Sequence, residues 1–384
     1  MRPLRGALLP LAVLLGLAAG LLAPAQATSH RADRTVAATS GTRTSAEDNP
    51  LAGRPWGTYE GGQEMAWAPY EKASGTDKDL LGYIALAPKA KWFGSWIPDS
   101  QIAQKVDDYI VNAQHGDPQA LVQMTIFRVN PWEHNACTRL PTKAERASYR
   151  QWIDSFAQAV GSTYTAIVLQ PDAPFALCAP HGSLVPSNLV SYAAKKLSAQ
   201  PNTSVYIEAG AADWPHAGSQ GGVDAAVKIL VRGGIQYAHG FALNSTHYDS
   251  TTAEVARAAA IAQELDGLGY PGRKAVINTS TNGHPFEYGD YDLGADANNP
   301  KVCGSVTAPS KRTCVTIGIP PTVKVGAERW GLPRKTNRLA RSYVDAYLWI
   351  GRPWLHDQAD PFVTSRALKL VRSTPWYTPP TTTG

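Results

Sequence analysis

Short apolar runs alternate along this chain with longer stretches of helical periodicity. Runs rich in apolar and β-branched residues fall at Lys91–Trp96, Ala120–Phe127, Ala166–Gln170, Ser204–Glu208, His239–Asn244, Lys274–Thr279 and Ala346–Ile350, each the length of a buried strand. Between them, apolar positions recur every three or four residues. Ile102, Val106 and Ile110 share a face, and so do Tyr149, Trp152, Ile153, Phe156 and Val160 behind a Thr142 suited to capping. Leu189, Tyr192 and Leu197 mark a further helix, and Val223, Val227 and Leu230 another that stops at Gly233-Gly234. Val255, Ile261 and Leu265 follow the candidate caps Thr251 and Thr252. This alternation predicts an α/β fold, a parallel sheet covered by helices. Seven units predict a distorted seven-stranded parallel β/α barrel in one domain; a doubly wound open sheet is the alternative that the pattern leaves open.

The ends of the chain break the pattern. Arg2 and Arg5 precede an apolar run from Leu8 to Leu22, and Ala25-Gln26-Ala27 is a small-x-small cleavage site. Residues 1–27 therefore read as a signal peptide, with a mature start at Thr28, a secreted product and no membrane attachment after cleavage. Residues 28–75 read as a flexible leader, partly packed on the body through Trp56, Tyr59, Trp67 and Tyr70. The barrel is expected over 76–377, and 378–384 read as a loose tail.

Export decides how the four cysteines are read. An even number in an oxidising compartment implies two disulfides. Of the three possible pairings, Cys137–Cys178 with Cys303–Cys314 closes the shortest loops and is preferred. No Cys-x-x-Cys pair and no other metal-ligand cluster stands out, so neither a metal nor an organic cofactor is expected. Removing Arg2 and Arg5 lowers the formal charge of +5 by two, to +3, too little for a nucleic-acid partner. Eleven Trp against seven Phe, in a chain only 17% charged, suit flat polar ligands such as sugars, and a monomer is expected.

Polar, ionisable and aromatic residues gather just after each strand, where β/α folds build their sites. Gln170-Pro171-Asp172 follows the third strand, Glu208-Ala209-Gly210 ends the fourth, Asn244-Ser245-Thr246 the fifth, and Arg352, Trp354, His356 and Asp357 follow the seventh. No Gly-x-Ser-x-Gly, His-Glu-x-x-His, P-loop or Gly-x-Gly-x-x-Gly occurs, which argues against esterase, zinc protease, NTPase and dehydrogenase chemistry. Carboxylates with aromatics remain, the equipment for cleaving glycosidic bonds. Asp172, among Pro171, Ala173, Pro174 and Phe175, is the best proton donor, because apolar surroundings favour its neutral form. Capping a helix is its structural alternative. Asp357, Asp360, Glu208 and Glu133 are possible partners.

These blocks resemble glycoside hydrolase family 6. Val168-Leu169-Gln170-Pro171-Asp172 is similar to the family's V-x-E-P-D, and Tyr206 to Trp214 to its Y-x-D-A-G-H-x-x-W. Gly240 to Tyr248 is similar to G-x-A-x-N-x-S-N-Y, Val276 to Gly283 to V-I-D-T-S-R-N-G, and Asp345-Ala346-Tyr347-Leu348-Trp349-Ile350 to D-A-x-x-W-I. With Trp92-Phe93 near the start, six blocks occur in order over about 91–365. The resemblance implies a catalytic domain that hydrolyses a β-1,4-glucan-like polysaccharide with inversion, Asp172 as proton donor and Asp357 as candidate base. It also implies sugar stacking on Trp92, with Trp214, Asn244, Glu208 and Arg352 binding substrate. Cys137 and Cys178 match the family's first disulfide; Cys314 matches one cysteine of the second, with Cys303 in place of its usual partner.

The departures lie around the acid. The aspartate that in the family precedes the first cysteine is Ala136 here, with Glu133 or His134 as candidate substitutes, and Arg128 or Phe127 stands where the family has a tyrosine. The last rim loop lacks the family's lysine, glycine and glutamate and carries Arg352, Trp354 and His356 instead. Arg352 suits an acidic or modified sugar. Trp354 is expected to narrow the subsites, so that Trp354→Gly would alter products more than stability. A glycan-binding protein with the same cleft and no turnover is the alternative.

Overall fold

The computed structural model describes residues 49–288, 298–309 and 313–379, without the side chains of Glu133 and His134. The signal segment 1–27, the leader up to residue 48, the end of the tail from 380 and the side chains of the candidate substitutes Glu133 and His134 lie outside what the structure describes. Seven strands form one all-parallel sheet in the order β1 to β7: β1 (Lys91–Gly94), β2 (Val122–Phe127), β3 (Thr165–Leu169), β4 (Thr203–Glu208), β5 (Gly240–Leu243), β6 (Lys274–Asn278) and β7 (Val344–Leu348). The seven strands predicted from sequence are these, and the sheet curls into the distorted barrel, not the doubly wound alternative.

Period-two alternation sorts each strand between two apolar layers. Ile167, Leu169, Val205, Ile207, Phe241 and Leu243 pack outward against the helices, together with Trp152 and Phe156. The intervening positions Ala166, Val168, Tyr206, Ala242, Val276 and Ala346 fill the barrel with Trp92 and Phe127. The helix Lys143–Val160 starts at the predicted Thr142, whose side chain accepts from Glu145 N–H while Glu145 returns the bond, a capping box. The helix Thr251–Gly267 is capped one residue earlier than expected, by Ser250, which accepts from Ala253 N–H at 3.1 Å.

The barrel is interrupted between β1 and β7, which form no ladder. Single bonds cross this seam: Ala90 N–H donates to Trp349 C=O at 2.9 Å and Trp92 Nε1–H to Ile350 C=O at 2.7 Å. Residues 49–75 belong to the same compact unit as the barrel. Leu51 and Ala66 are fully buried, and Asn49 Nδ2 donates to Asp345 C=O at 2.7 Å, so this part of the predicted leader is built into the fold. Both disulfides form as preferred, Cys137–Cys178 and Cys303–Cys314.

Candidate active site

The strand ends enclose a cleft of about 950 Å³, at the upper end of the usual range for small-ligand sites. Asp172, Trp92, Trp214, His247, Arg352 and Asp357 are among its lining residues. Five non-glycine residues at the rim, Gln170, Asp172, Asn244, Asp357 and Gln358, take positive φ. Such backbone is unfavourable for L-residues and persists where surrounding contacts over-determine it, characteristically at functional sites.

Asp172 opens the turn after β3 with φ 62° and ψ 22°. Its side chain caps no helix; Oδ1 instead accepts a 3.0 Å hydrogen bond from Thr246 Oγ1. Burial raises its pKa above the ordinary carboxylate range, while the charge of His247 and the Thr246 bond oppose the rise. Gln170, just before it, is a clamp. Its Oε1 accepts from Arg128 N–H and Val129 N–H at 3.1 and 3.0 Å, tying the end of β3 to the end of β2. Arg128 turns away from the cleft to pair with Asp99 at 3.0 Å, leaving Phe127 as the ring that lines it. Ala136 shares a small cavity with Asp172 and brings no carboxyl group to it.

The residues carried over from the family separate into two groups. Trp92, Trp214, Arg352 and Asp357 line the cleft. Asp357 is half exposed and pairs with His356 Nδ1 at 3.1 Å. Asn244 does not line it: the residue is fully buried, its Nδ2 donates to Asn278 C=O at 3.2 Å and its Oδ1 accepts from Asp249 N–H at 3.3 Å. The expected substrate-binding asparagine is thus occupied in joining the ends of β5 and β6. Glu208 is also a correction. It is 1% exposed beneath Asp172, and burial, followed by the charge of Asp172, lifts its pKa well above the ordinary value. Trp92 has a guanidinium, that of Arg352, 4.4 Å from its ring centroid, so this face is taken. Trp354 is 2% exposed, packed against Trp349 in a core cluster, and does not line the cleft. The expected narrowing of the subsites by its indole does not occur.

The rim also carries a group that the strand-end reading did not single out. His247 Nδ1 lies 2.7 Å from Asp213 Oδ1, and its ring is stacked between Trp214 and Tyr288 at centroid distances of 5.6 and 4.6 Å. The remaining Asp213 oxygen accepts from Tyr288 N–H at 2.7 Å. Against the effect of burial, the His247 hydrogen bond and charge hold Asp213 at about 2. Its neighbour Asp249 moves the other way, to about 8, through burial and the charge of Asp213. The folded protein therefore keeps a proton on Asp249 that the unfolded chain releases above its ordinary 3.8, and stability falls as pH rises from about 3.8 to about 8. Asp213 contributes with the opposite sign and only at lower pH. In Asp249→Asn the melting temperature is expected to drop less between pH 5 and pH 8 than in the wild type; an unchanged drop would assign it to other groups.

Among the described residues, His284, Cys303 and Cys314 form a cluster of metal-ligand type, but the two sulfurs are bonded to each other and offer no thiolate.

A parallel β/α barrel open at one seam, with a raised-pKa carboxyl group in an aromatic-lined cleft, belongs to the class of β/α proteins that build their sites at the strand ends. The chain belongs to the glycosyl hydrolases family 6, matched over residues 37–287. It is similar to endoglucanase A of Cellulomonas fimi, 34% identical over 231 residues, covering 59% of this chain and 47% of that one. The chain thus spans about half the length of that relative. An endoglucanase from Mycobacterium tuberculosis, solved with methyl-cellobiosyl-4-deoxy-4-thio-β-D-cellobioside, superposes with a TM-score of 0.64 at 26% identity, covering 84% of this chain and 98% of that one. Cellobiohydrolase II of Humicola insolens shares the fold at 16% identity and a TM-score of 0.57, covering 79% of this chain and 86% of that one.

Proposed function

We propose that this protein is a secreted glycoside hydrolase that cleaves β-glycosidic bonds of a β-1,4-glucan-like polysaccharide with inversion. The observation that carries the reading is Asp172: a carboxyl group at the mouth of the cleft, in a desolvated setting that favours its protonated form, hydrogen-bonded by Thr246 in a strained turn. Asp172 protonates the leaving oxygen. Asp357, on the rim of the same cleft and exposed to solvent, activates the attacking water from the opposite face of the ring. Two disulfides suit the oxidising space outside the cell.

Hydrolysis of cello-oligosaccharides followed by proton NMR tests this. The first product should carry the α-anomeric configuration; a β-anomer would exclude inversion. The alanine at position 136 favours a second reading, a glycan-binding protein without turnover. Saturable oligosaccharide binding with no product over prolonged incubation would select it.

A further inference from the structure

The β1–β7 seam holds a charge that the reaction does not use. Arg352 follows β7 on a loop whose backbone is pinned. Gly351 is packed so closely that a Cβ there would meet Gln358 Oε1 at 2.9 Å, and the same oxygen accepts from Arg352 N–H at 3.2 Å. The side chain is thereby directed across the seam onto Trp92 of β1, whose indole is itself fixed by its bond to Ile350 C=O. Arg352 and Trp92 form a shared wall between the main cleft and a second cavity of about 40 Å³, lined by Glu64, Lys89, Lys91 and Trp354.

The charges around this wall do not balance. Glu64 is matched by Lys89 at 3.6 Å and by Ala66 N–H at 3.1 Å, and the Lys91 ammonium donates to Gln63 C=O. The Arg352 guanidinium rests on the Trp92 ring, and its Nε is buried with no hydrogen-bond partner among the described residues. Burial pulls its pKa down to about 10, so it stays charged at neutral pH. A neutral sugar entering the cleft would strip water from this cation and return only hydroxyl contacts, whereas an anionic group would return the charge as well. A guanidinium held over an aromatic ring offers planar pairs of donors, matched in shape by a carboxylate.

We propose that Arg352, laid on Trp92 at the β1–β7 seam, is an anion subsite of the cleft that takes the C6 carboxylate of a uronic acid unit, so that the preferred ligand is an acidic β-linked polysaccharide. This rests on the reading of the cleft as a β-glycan site, and it narrows the substrate class.

The test measures binding by calorimetry to the whole chain carrying Asp172→Asn. The probes are cellotetraose and its C6-oxidised counterpart, a β-1,4-linked tetraglucuronate. The acidic tetrasaccharide is expected to bind on the order of 10-fold more tightly. Added salt should shrink that advantage, and Arg352→Gln in the same background should abolish it. Equal or tighter binding of cellotetraose would overturn the proposal, and so would an acidic preference that survives Arg352→Gln. The first comparison leaves position 352 intact and so stands even if Arg352→Gln fails to fold. Wild-type turnover of neither tetrasaccharide, with the acidic preference present, would remove the hydrolase reading and keep the subsite. Turnover of cellotetraose without any acidic preference would do the reverse.

Discussion

Asp172→Asn is expected to lower the rate of glycosidic bond cleavage by about 10²–10⁴-fold, the usual contribution of a positioned general acid. Asparagine keeps the shape of the side chain and can still meet Thr246 Oγ1, so the turn after β3 and the affinity for oligosaccharide should survive. Reducing-sugar release against substrate concentration separates the two effects: kcat falls and KM does not follow. The wild type should also lose kcat/KM as pH rises through the Asp172 pKa, and burial places that limb above the ordinary aspartate range. The limb should be absent from whatever activity Asp172→Asn retains. A loss smaller than 10-fold, or the same alkaline limb in the variant, would move the acid to another residue.

Trp354→Ala is expected to destabilise the fold by about 3–5 kcal/mol, the range for removing a large buried aromatic side chain. The indole is 2% exposed, packs at 6.0 Å from Trp349, and belongs to a cluster that also contains Leu81, Ile84, Leu355 and Leu370. Its removal leaves a cavity that these neighbours, drawn from three separated parts of the chain, fill only by moving together. Denaturant titration measures the effect. A loss below about 1 kcal/mol with an altered product pattern would restore the subsite role that the loop sequence suggests.

The scaffold was legible in the sequence because its signals are local. Runs such as Ala166–Leu169 and Val205–Ile207 carry the composition of buried parallel strands, and Thr142 with Glu145 spells a cap within four residues. Asp172 was legible for a related reason: its apolar neighbours Pro171, Ala173 and Pro174 are adjacent in sequence as well as in space. What a rim side chain faces was not. Asn244 and Asp357 both end up with positive φ beyond a strand, yet one is sealed beneath the rim and the other stands in solvent. Trp92 read as a sugar-stacking ring and Trp354 as one that narrows the subsites. The guanidinium across one and the core around the other come from residues far away in the chain, which no periodicity encodes. His247 lay inside a recognised block, but only the fold brings Asp213 and Tyr288 to it.

The missing ladder between β1 and β7 has a consequence for how this scaffold changes over time. A fully closed ring of strands has its circumference dictated by strand number and stagger, so altering the lumen means altering the whole ring. Here one junction is spanned by isolated bonds and by side chains, among them the Arg352 guanidinium over the Trp92 ring. Exchanging Arg352 would recharge one end of the cleft while the six ladders keep their register. New ligand preferences can therefore arise at this junction through point substitutions, with no insertion and no repacking of the strands.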